Sequence, residues 1–223
     1  MNPIWFFEDV NLFNILCPHK FKNYKNTHDF CKYQKKDYIY FEEDASSKVY
    51  LIEKGKVKIG YYSEAGEEIV KAILSKGELF GEKAIFGEQK RDEFAQSIVN
   101  NTSICPIGVD TMLDLMRDNQ TFSFKVYKFI GFKFKKLERR LQLLLYKDTK
   151  TRLLEFLQEL CNDYGHDCEK TGDRVIEHPY TQKDIASLIG TSRPTLNILM
   201  NQLKDESIID FNRKEIRMFK KPA

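Results

Sequence analysis

The sequence of 223 residues has no apolar run near the roughly 18 residues that a membrane-spanning helix requires. Its first ten residues, MNPIWFFEDV, carry acidic side chains where a secretory signal peptide has a basic region and then an apolar stretch. The net charge is only +3, and 42% hydrophobic with 31% charged residues exclude a disordered or fibrous chain. We therefore expect a folded cytoplasmic protein of one large or two ordinary domains, with no membrane partner.

Cysteine is also scarce. The five cysteines are widely spaced and odd in number, which excludes a disulfide framework. Cys17 and Cys31 alone cannot hold an iron–sulfur cluster with four thiolate ligands. Cys161, His166 and Cys168 would supply three metal ligands where a tetrahedral site needs four, so an ordinary loop is favoured. The sequence therefore predicts no metal and no cofactor, and a redox switch through one thiol stays open.

Short β-branched and aromatic runs, separated by glycine and acidic turns, fill the sequence between Asp37 and Ile107. They predict an antiparallel β-roll. No histidine occurs in that stretch, so the imidazole ligands that barrel metalloenzymes use are missing. We predict that the chain is not an enzyme, and a β-roll metalloenzyme remains a minor alternative. The predicted strands are 37–41, 49–52, 57–62, 69–74, 96–99 and 104–107.

A proline-free helix is predicted from about residue 121 to 147, after a short one at 110–117. Its apolar residues recur at spacings of four and three, as in a coiled-coil seam. At about 1.5 Å per residue the helix is about 40 Å long, which suggests a dimer axis. Burial of the helix within its own domain is the alternative. The predicted dimer interface is Ile130, Phe134, Leu137, Leu141 and Leu144.

Asp148 is a candidate N-cap for the next helix and marks a domain boundary. We predict N-terminal helices and the β-roll in 1–118, the dimerisation helix in 119–147 and the last domain in 148–223. Residues 162–172 are polar and contain glycine, which predicts a loop. Residues 174–177 predict a short strand.

Residues 181–204, TQKDIASLIGTSRPTLNILMNQLK, predict two short helices joined by a tight turn. Thr181 and Asp184 fit a capping box, Gly190 fits the left-handed turn position, and Ser192 fits a second N-cap before Pro194. The first helix would bury Ile185, Leu188 and Ile189, and the second Leu196, Leu199, Met200 and Leu203. A β-hairpin, or wing, is predicted after it from 208–211 and 215–219.

The opposite face of the second helix presents Arg193, Pro194, Asn197, Ile198 and Asn201. Arginine can bond guanine and asparagine can bond adenine in the major groove of DNA, and hydroxyl groups at the helix start can reach phosphates. From Thr181 onward, eight Lys and Arg face five Asp and Glu, so positive charge is concentrated here. The predicted DNA-binding residues are Lys183, Thr191, Ser192, Arg193, Thr195, Asn197 and Asn201.

The whole chain resembles the superfamily of bacterial transcription factors that contains the cyclic-AMP receptor protein and the fumarate-nitrate-reductase regulator, the Crp/Fnr superfamily. The resemblance is carried by Phe80-Gly81-Glu82 with Ile85-Phe86 and by Thr191-Ser192-Arg193 with Thr195. It implies an α+β fold: a cyclic-nucleotide-binding-like antiparallel β-roll, a long dimerisation helix and a C-terminal winged helix-turn-helix. It also implies that Arg193 reads a guanine and that Ser192 and Thr195 touch the DNA backbone.

Departures from the family pattern concern the effector pocket. Aligned without gaps, the arginine-serine pair that grips a cyclic phosphate falls on Asp92 and Glu93, which should repel a phosphate. Arg91 lies one position away, so a slip of the loop could restore the arginine. The family's adenine-binding positions fall on Leu137 and Glu138. The candidate pocket residues are Phe80, Gly81, Glu82, Arg91, Asp92, Glu93, Leu137 and Glu138.

The sequence thus predicts a homodimeric, sequence-specific DNA-binding transcriptional regulator that does not respond to cyclic AMP. Its expected partner is double-stranded DNA with a pseudo-palindromic operator. A cyclic-nucleotide-responsive member of the family, and a degenerate helix-turn-helix used for protein contacts, are the alternatives. Contact with RNA polymerase and binding of an unidentified small-molecule effector stay open.

Overall fold

The computed structural model describes residues 30–168, 172–212 and 215–219. The predicted N-terminal helices and Cys17 lie outside the described residues. The chain divides into two compact units, with the division in the sequence between Lys135 and Lys136. None of the described helices is both long and apolar enough to cross a membrane.

The first unit is an antiparallel β-roll built from two sheets of four strands each among the described residues. One sheet has the order β1-β8-β3-β6 and the other the order β2-β7-β4-β5. A 3-10 helix, Glu82–Phe86, connects β6 to β7 in the sequence. The strands are β1 (Cys31–Tyr33), β2 (Tyr38–Tyr40), β3 (Lys48–Lys54), β4 (Lys56–Tyr62), β5 (Glu68–Ser75), β6 (Leu79–Phe80), β7 (Phe94–Ser97) and β8 (Thr102–Gly108).

Alternation along the strands divides the apolar side chains between two cores. In β3, Val49 and Leu51 join a core under helix α1 (Val109–Asp118), whereas Ile52 joins the core that includes Phe80 and Ile104. Helix α2 (Gln120–Tyr146) adds Phe122, Val126 and Phe129 to the first core, at the i, i+4 and i+7 spacing of one helix face. The first half of the long helix is thereby packed onto the roll.

The β-roll and its six predicted strands are confirmed, with ends that differ by at most two residues. Strands β1 and β6 were not predicted. They contain three and two residues, which is too few to show the alternation by which a strand is recognised in a sequence.

The second unit combines helices with a four-stranded sheet of order β11-β12-β10-β9. Its helices are α3 (Thr149–Tyr164), α4 (Gln182–Ile189) and α5 (Arg193–Asp205). Its strands are β9 (Gly165–Asp167), β10 (Arg174–Glu177), β11 (Ile209–Phe211) and β12 (Glu215–Met218). Leu153, Phe156, Leu157, Leu160, Ile176, Ile189, Leu196, Leu203 and Ile209 are all fully buried in this unit.

The prediction of a loop over 162–172 is wrong in its first half. Helix α3 continues to Tyr164, and β9 then pairs antiparallel with β10. His166 and Asp167 of β9 are exposed, so this strand has no apolar alternation and its partner lies further along the chain. Only the pairing with β10 identifies it as a strand.

Candidate functional site

The turn between α4 and α5 has the local geometry that the sequence predicts. The Thr181 hydroxyl accepts from the Asp184 amide at 3.1 Å, and the Asp184 carboxylate accepts from the Thr181 amide at 2.8 Å, which completes the capping box. Gly190 ends α4 with φ 69°, a left-handed backbone conformation that is energetically unfavourable for residues with a Cβ atom. The Ser192 hydroxyl caps α5 by accepting from the Thr195 amide at 3.2 Å.

The second helix of the pair, α5, buries one face and exposes the other. Leu196, Met200 and Leu203 are buried, whereas Leu199, predicted to be buried, is only half-buried. Among the predicted DNA contacts, Lys183, Ser192, Arg193, Thr195 and Asn201 are exposed, while Thr191 and Asn197 are half-buried.

Charged side chains on this face are free to meet a polyanion. Within the described part of the chain, neither Lys183 nor Arg193 is held in an ion pair. Strands β11 and β12 form the predicted antiparallel wing, in which Ile209 pairs with Met218. The basic residues at 213–214 and 220–221 lie outside the described residues.

Two arginines, the buried Arg152 and the half-buried Arg140, hold the C-terminal end of α4, and no sequence pattern singles them out. Arg152 of α3 donates from Nε to the Ile189 carbonyl at 2.8 Å and from Nη2 to the Gly190 carbonyl at 3.2 Å. Arg140 of α2 donates from Nη2 to the Leu188 carbonyl at 2.8 Å. Cations at a helix C-terminus satisfy its free carbonyls and oppose its negative dipole end. Burial lowers the pKa of Arg140.

The last turns of α2 also contact the turn itself. A Cβ built at Gly190 would lie 2.6 Å from Cδ2 of Leu144, so glycine is needed there for packing as well as for its φ angle. Arg152 also donates from Nη1 to the Lys147 carbonyl at 2.8 Å, across the junction of α2 and α3. At that junction the predicted N-cap is confirmed, because the Asp148 carboxylate accepts from the Thr151 amide at 2.8 Å. The end of α2, the start of α3 and the turn before α5 are therefore tied together.

Apolar side chains line an uncovered face of α2. Exposed fractions are 61% for Phe134, 65% for Leu137, 55% for Leu141 and 42% for Leu144, while Ile130 is half-buried against the first core of the roll. Large apolar side chains with such exposure in one contiguous row are typical of an interaction surface.

Inside the roll lies Arg91, one position before the residue that aligns with the family's phosphate-binding arginine. Its side chain is 1% exposed, and Nη1 donates to the Gly81 carbonyl at 3.0 Å, while Nη2 donates to the Lys48 carbonyl. The guanidinium lies 4.6 Å from the ring centre of Tyr40. Gly81 has φ 70°, and a Cβ there would approach Nη1 to 3.0 Å. Nε of Arg91 is buried and has no hydrogen-bond partner among the described residues.

The two carboxylates beside Arg91 are neutralised by lysines, which the sequence-based charge argument did not take into account. Lys83 lies 2.5 Å from Asp92, and Lys71 lies 2.5 Å from Glu93. Burial alone would raise the pKa of Asp92, but the hydrogen bond from Lys83 and the charges of both lysines bring it below its usual value. The expected repulsion of a phosphate by Asp92 and Glu93 is thus largely cancelled.

The remaining candidate pocket residues are spread over both units. Phe80 is buried and stacks on Tyr50 at 5.1 Å between ring centres, and Glu82 forms an ion pair with Lys133 at 2.6 Å. Leu137 and Glu138 are exposed on α2, in the unit that begins at residue 136. No cluster of three or more His, Cys, Asp or Glu side chains suited to a metal ion occurs among the described residues.

An antiparallel roll followed by a long helix and a winged helix-turn-helix with an exposed second helix defines a DNA-binding transcriptional regulator. Comparison with known families agrees for both parts. The cyclic nucleotide-binding domain family matches residues 30–119, and the Crp-like helix-turn-helix domain family matches residues 151–222.

The chain also resembles individual regulators. It is 27% identical to the global nitrogen regulator of Nostoc sp. over 82% of this chain and 81% of that one. It is 26% identical to a CRP-like cAMP-activated global transcriptional regulator of Mycobacterium tuberculosis, over 71% and 70%. A CooA variant from Carboxydothermus hydrogenoformans shares the fold, with a TM-score of 0.76, 23% identity, and coverage of 97% of this chain and 94% of that one. The chain belongs to the Crp/Fnr superfamily and is a transcriptional regulator of that type.

Proposed function

We propose that the protein is a cytoplasmic homodimer that binds a pseudo-palindromic DNA operator, with one α5 in the major groove of each half-site. The exposed face of α5, beside an intact capping box and Ser192 cap, is the observation that carries this proposal. A helix-turn-helix that had become a protein-contact module would have no need to keep both caps.

The dimer is supported by the uncovered row Phe134, Leu137, Leu141 and Leu144 on α2. These residues follow the heptad spacing of a two-helix seam, and pairing with a second copy would remove their apolar surface from water. A two-fold axis along such a seam would place two copies of α5 in successive major grooves, about 34–36 Å apart.

Base reading is assigned to Arg193, Asn197 and Asn201, and phosphate contacts to Lys183, Thr191, Ser192 and Thr195. The first group carries the guanidinium and amide groups that bond guanine and adenine edges. The second group lies at or near the start of the helices, where hydroxyls, amides and the helix dipole suit an anion.

Cyclic AMP is not the proposed signal. Arg91 lies one position from the aligned phosphate-binding arginine of the family, and its guanidinium is already bonded to the carbonyls of Gly81 and Lys48. Asp92 and Glu93 are engaged by Lys83 and Lys71. A cyclic phosphate would have to displace these bonds, because the pocket's cations already have acceptors.

The experiment that tests the main proposal is selection of bound DNA from a random pool by the purified full-length protein, at two salt concentrations. An inverted repeat with steeply salt-dependent binding supports a dimeric, sequence-reading regulator. Absence of any enriched motif, with or without added cyclic AMP, would contradict the proposal.

Thermal unfolding with and without cyclic AMP tests the signal separately. We expect no change in Tm. Stabilisation by cyclic AMP in the parent, lost in Arg91→Met, would establish the cyclic-nucleotide-responsive alternative instead.

A further inference from the structure

The exposed face of α5 contains an apolar residue, Ile198, to which the proposed DNA contacts give no role. Ile198 is 59% exposed. Among the described residues of the second unit that lie outside α2, Ile198 and Phe219 are the large apolar side chains that are exposed. Phe219 follows the wing, whereas Ile198 lies in the middle of the helix proposed to enter the groove.

Ile198 belongs to the exposed face and not to the edge of the buried stripe. At 100° per residue, the buried residues Leu196, Met200 and Leu203 centre on one side of α5, and Ile198 points about 170° away from their mean direction. Pro194, one turn earlier on the same side, is also exposed. Pro194 and Ile198 thus form an apolar strip along a helix face that is otherwise polar.

Apolar groups are rare in the major groove of DNA, which limits what this strip can contact. Base edges there present hydrogen-bond donors and acceptors, and the one apolar group is the C5-methyl of thymine. An isoleucine buried against a cytosine edge would instead leave the N4 donor without a partner.

We infer that Ile198, supported by Pro194, reads a thymine methyl group in each operator half-site. The inference rests on the proposed function and adds a specificity-determining residue to it. Ile198 follows Arg193 by five residues, about 7.5 Å along the helix, or about two base-pair steps of 3.4 Å. The thymine should therefore lie within about two or three base pairs of the guanine read by Arg193.

Replacement of thymine by deoxyuridine tests this contact, because it removes the methyl group and leaves the hydrogen-bonding edges unchanged. Each thymine of the selected operator is replaced in turn, in both half-sites, and affinity is measured for the parent and for Ile198→Ala. At one position we expect the parent to lose about fourfold in affinity per half-site, the value of one buried methyl group. Ile198→Ala should bind the two DNAs about equally.

Two matched variants complete the design. Ile198→Val keeps branched methyl groups and should keep most of the thymine preference. Arg193→Ala should lower affinity overall but still distinguish thymine from deoxyuridine at the Ile198 position. Because Ile198 is exposed, its substitution should leave the fold and the Tm unchanged.

The failures are distinguishable. An enriched inverted repeat whose thymines can all be replaced by deoxyuridine without loss overturns the Ile198 assignment and leaves the proposed regulator in place. An equal loss in the parent and in Ile198→Ala at every thymine overturns it as well. If selection yields no repeat at all, the proposed function fails and the Ile198 contact fails with it.

Discussion

Truncation of Arg152 to alanine should destabilise the C-terminal unit by about 2–4 kcal/mol. Its side chain is buried, and it donates to the carbonyls of Ile189, Gly190 and Lys147 and to the Thr149 hydroxyl. A buried carbonyl left without a donor costs about 1–3 kcal/mol, and that applies fully to Ile189. Lys147 and Gly190 are exposed and Thr149 is half-buried, so these acceptors can recover water, and we count them at under about 1 kcal/mol each. Loss of the cation at the end of α4 adds about 0.3–1 kcal/mol.

Urea unfolding and calorimetry of the full chain measure this loss. For a unit of this size, 1 kcal/mol corresponds to about 4–8 °C, so Tm of the C-terminal transition should fall by at least about 8 °C. Arg152→Lys keeps the charge but not the fork of donors, and should lie between the parent and Arg152→Ala. Arg193→Ala removes an exposed arginine from the same unit and should leave Tm nearly unchanged.

A loss below about 1 kcal/mol for Arg152→Ala would refute the argument that these carbonyls depend on Arg152. An equal loss for Arg193→Ala would show that the effect does not come from burial or from the carbonyl contacts.

Four further outcomes are expected. Arg193→Ala should cost about 1–3 kcal/mol of operator binding and relax one base position, which competition with random DNA would detect. Asp184→Ala should cost about 1 kcal/mol in urea unfolding, since it opens the capping box, and Asp184→Glu should restore most of it. Leu141→Lys should give folded monomers by sedimentation and circular dichroism, whereas Gln142→Lys should remain dimeric. Burial lowers the pKa of His178, so as the pH falls the unfolded chain binds a proton at this histidine before the folded chain does. The free energy of unfolding should therefore fall as the pH drops below about 6.5. Thermal unfolding at about pH 7 and pH 5 should show a smaller fall in Tm for His178→Phe than for the parent.

The helix-turn-helix could be predicted in detail because its determinants are local. Capping by Thr181 and Ser192, the left-handed Gly190 and the apolar period of α5 all act within four residues of sequence. Residues so close together meet in the structure whatever the rest of the chain does. The same holds for the Asp148 cap at the start of α3.

The electrostatic details could not be predicted, because the partners are distant in sequence. Arg140 bonds a carbonyl 48 residues away, and Arg91 bonds the carbonyl of a residue 43 positions earlier. The pairing of Glu93 with Lys71 spans 22 residues. From the sequence, Asp92 and Glu93 therefore look like unpaired negative charges, whereas in the folded roll they are paired with Lys83 and Lys71.

The contacts of Arg140 and Leu144 with the turn before α5 have a consequence for how far apart two half-sites can be. The helical turns of α2 that carry Leu137 and Leu141 of the proposed seam also carry Arg140 and Leu144, which contact the end of α4 and the turn before α5. Two copies joined at that seam would present their reading helices at one set distance and one set rotation. An extra base pair between half-sites adds about 3.4 Å and about 34° of rotation. The protein should therefore measure operator length as well as operator sequence, and it should reject an otherwise perfect repeat with one base pair inserted.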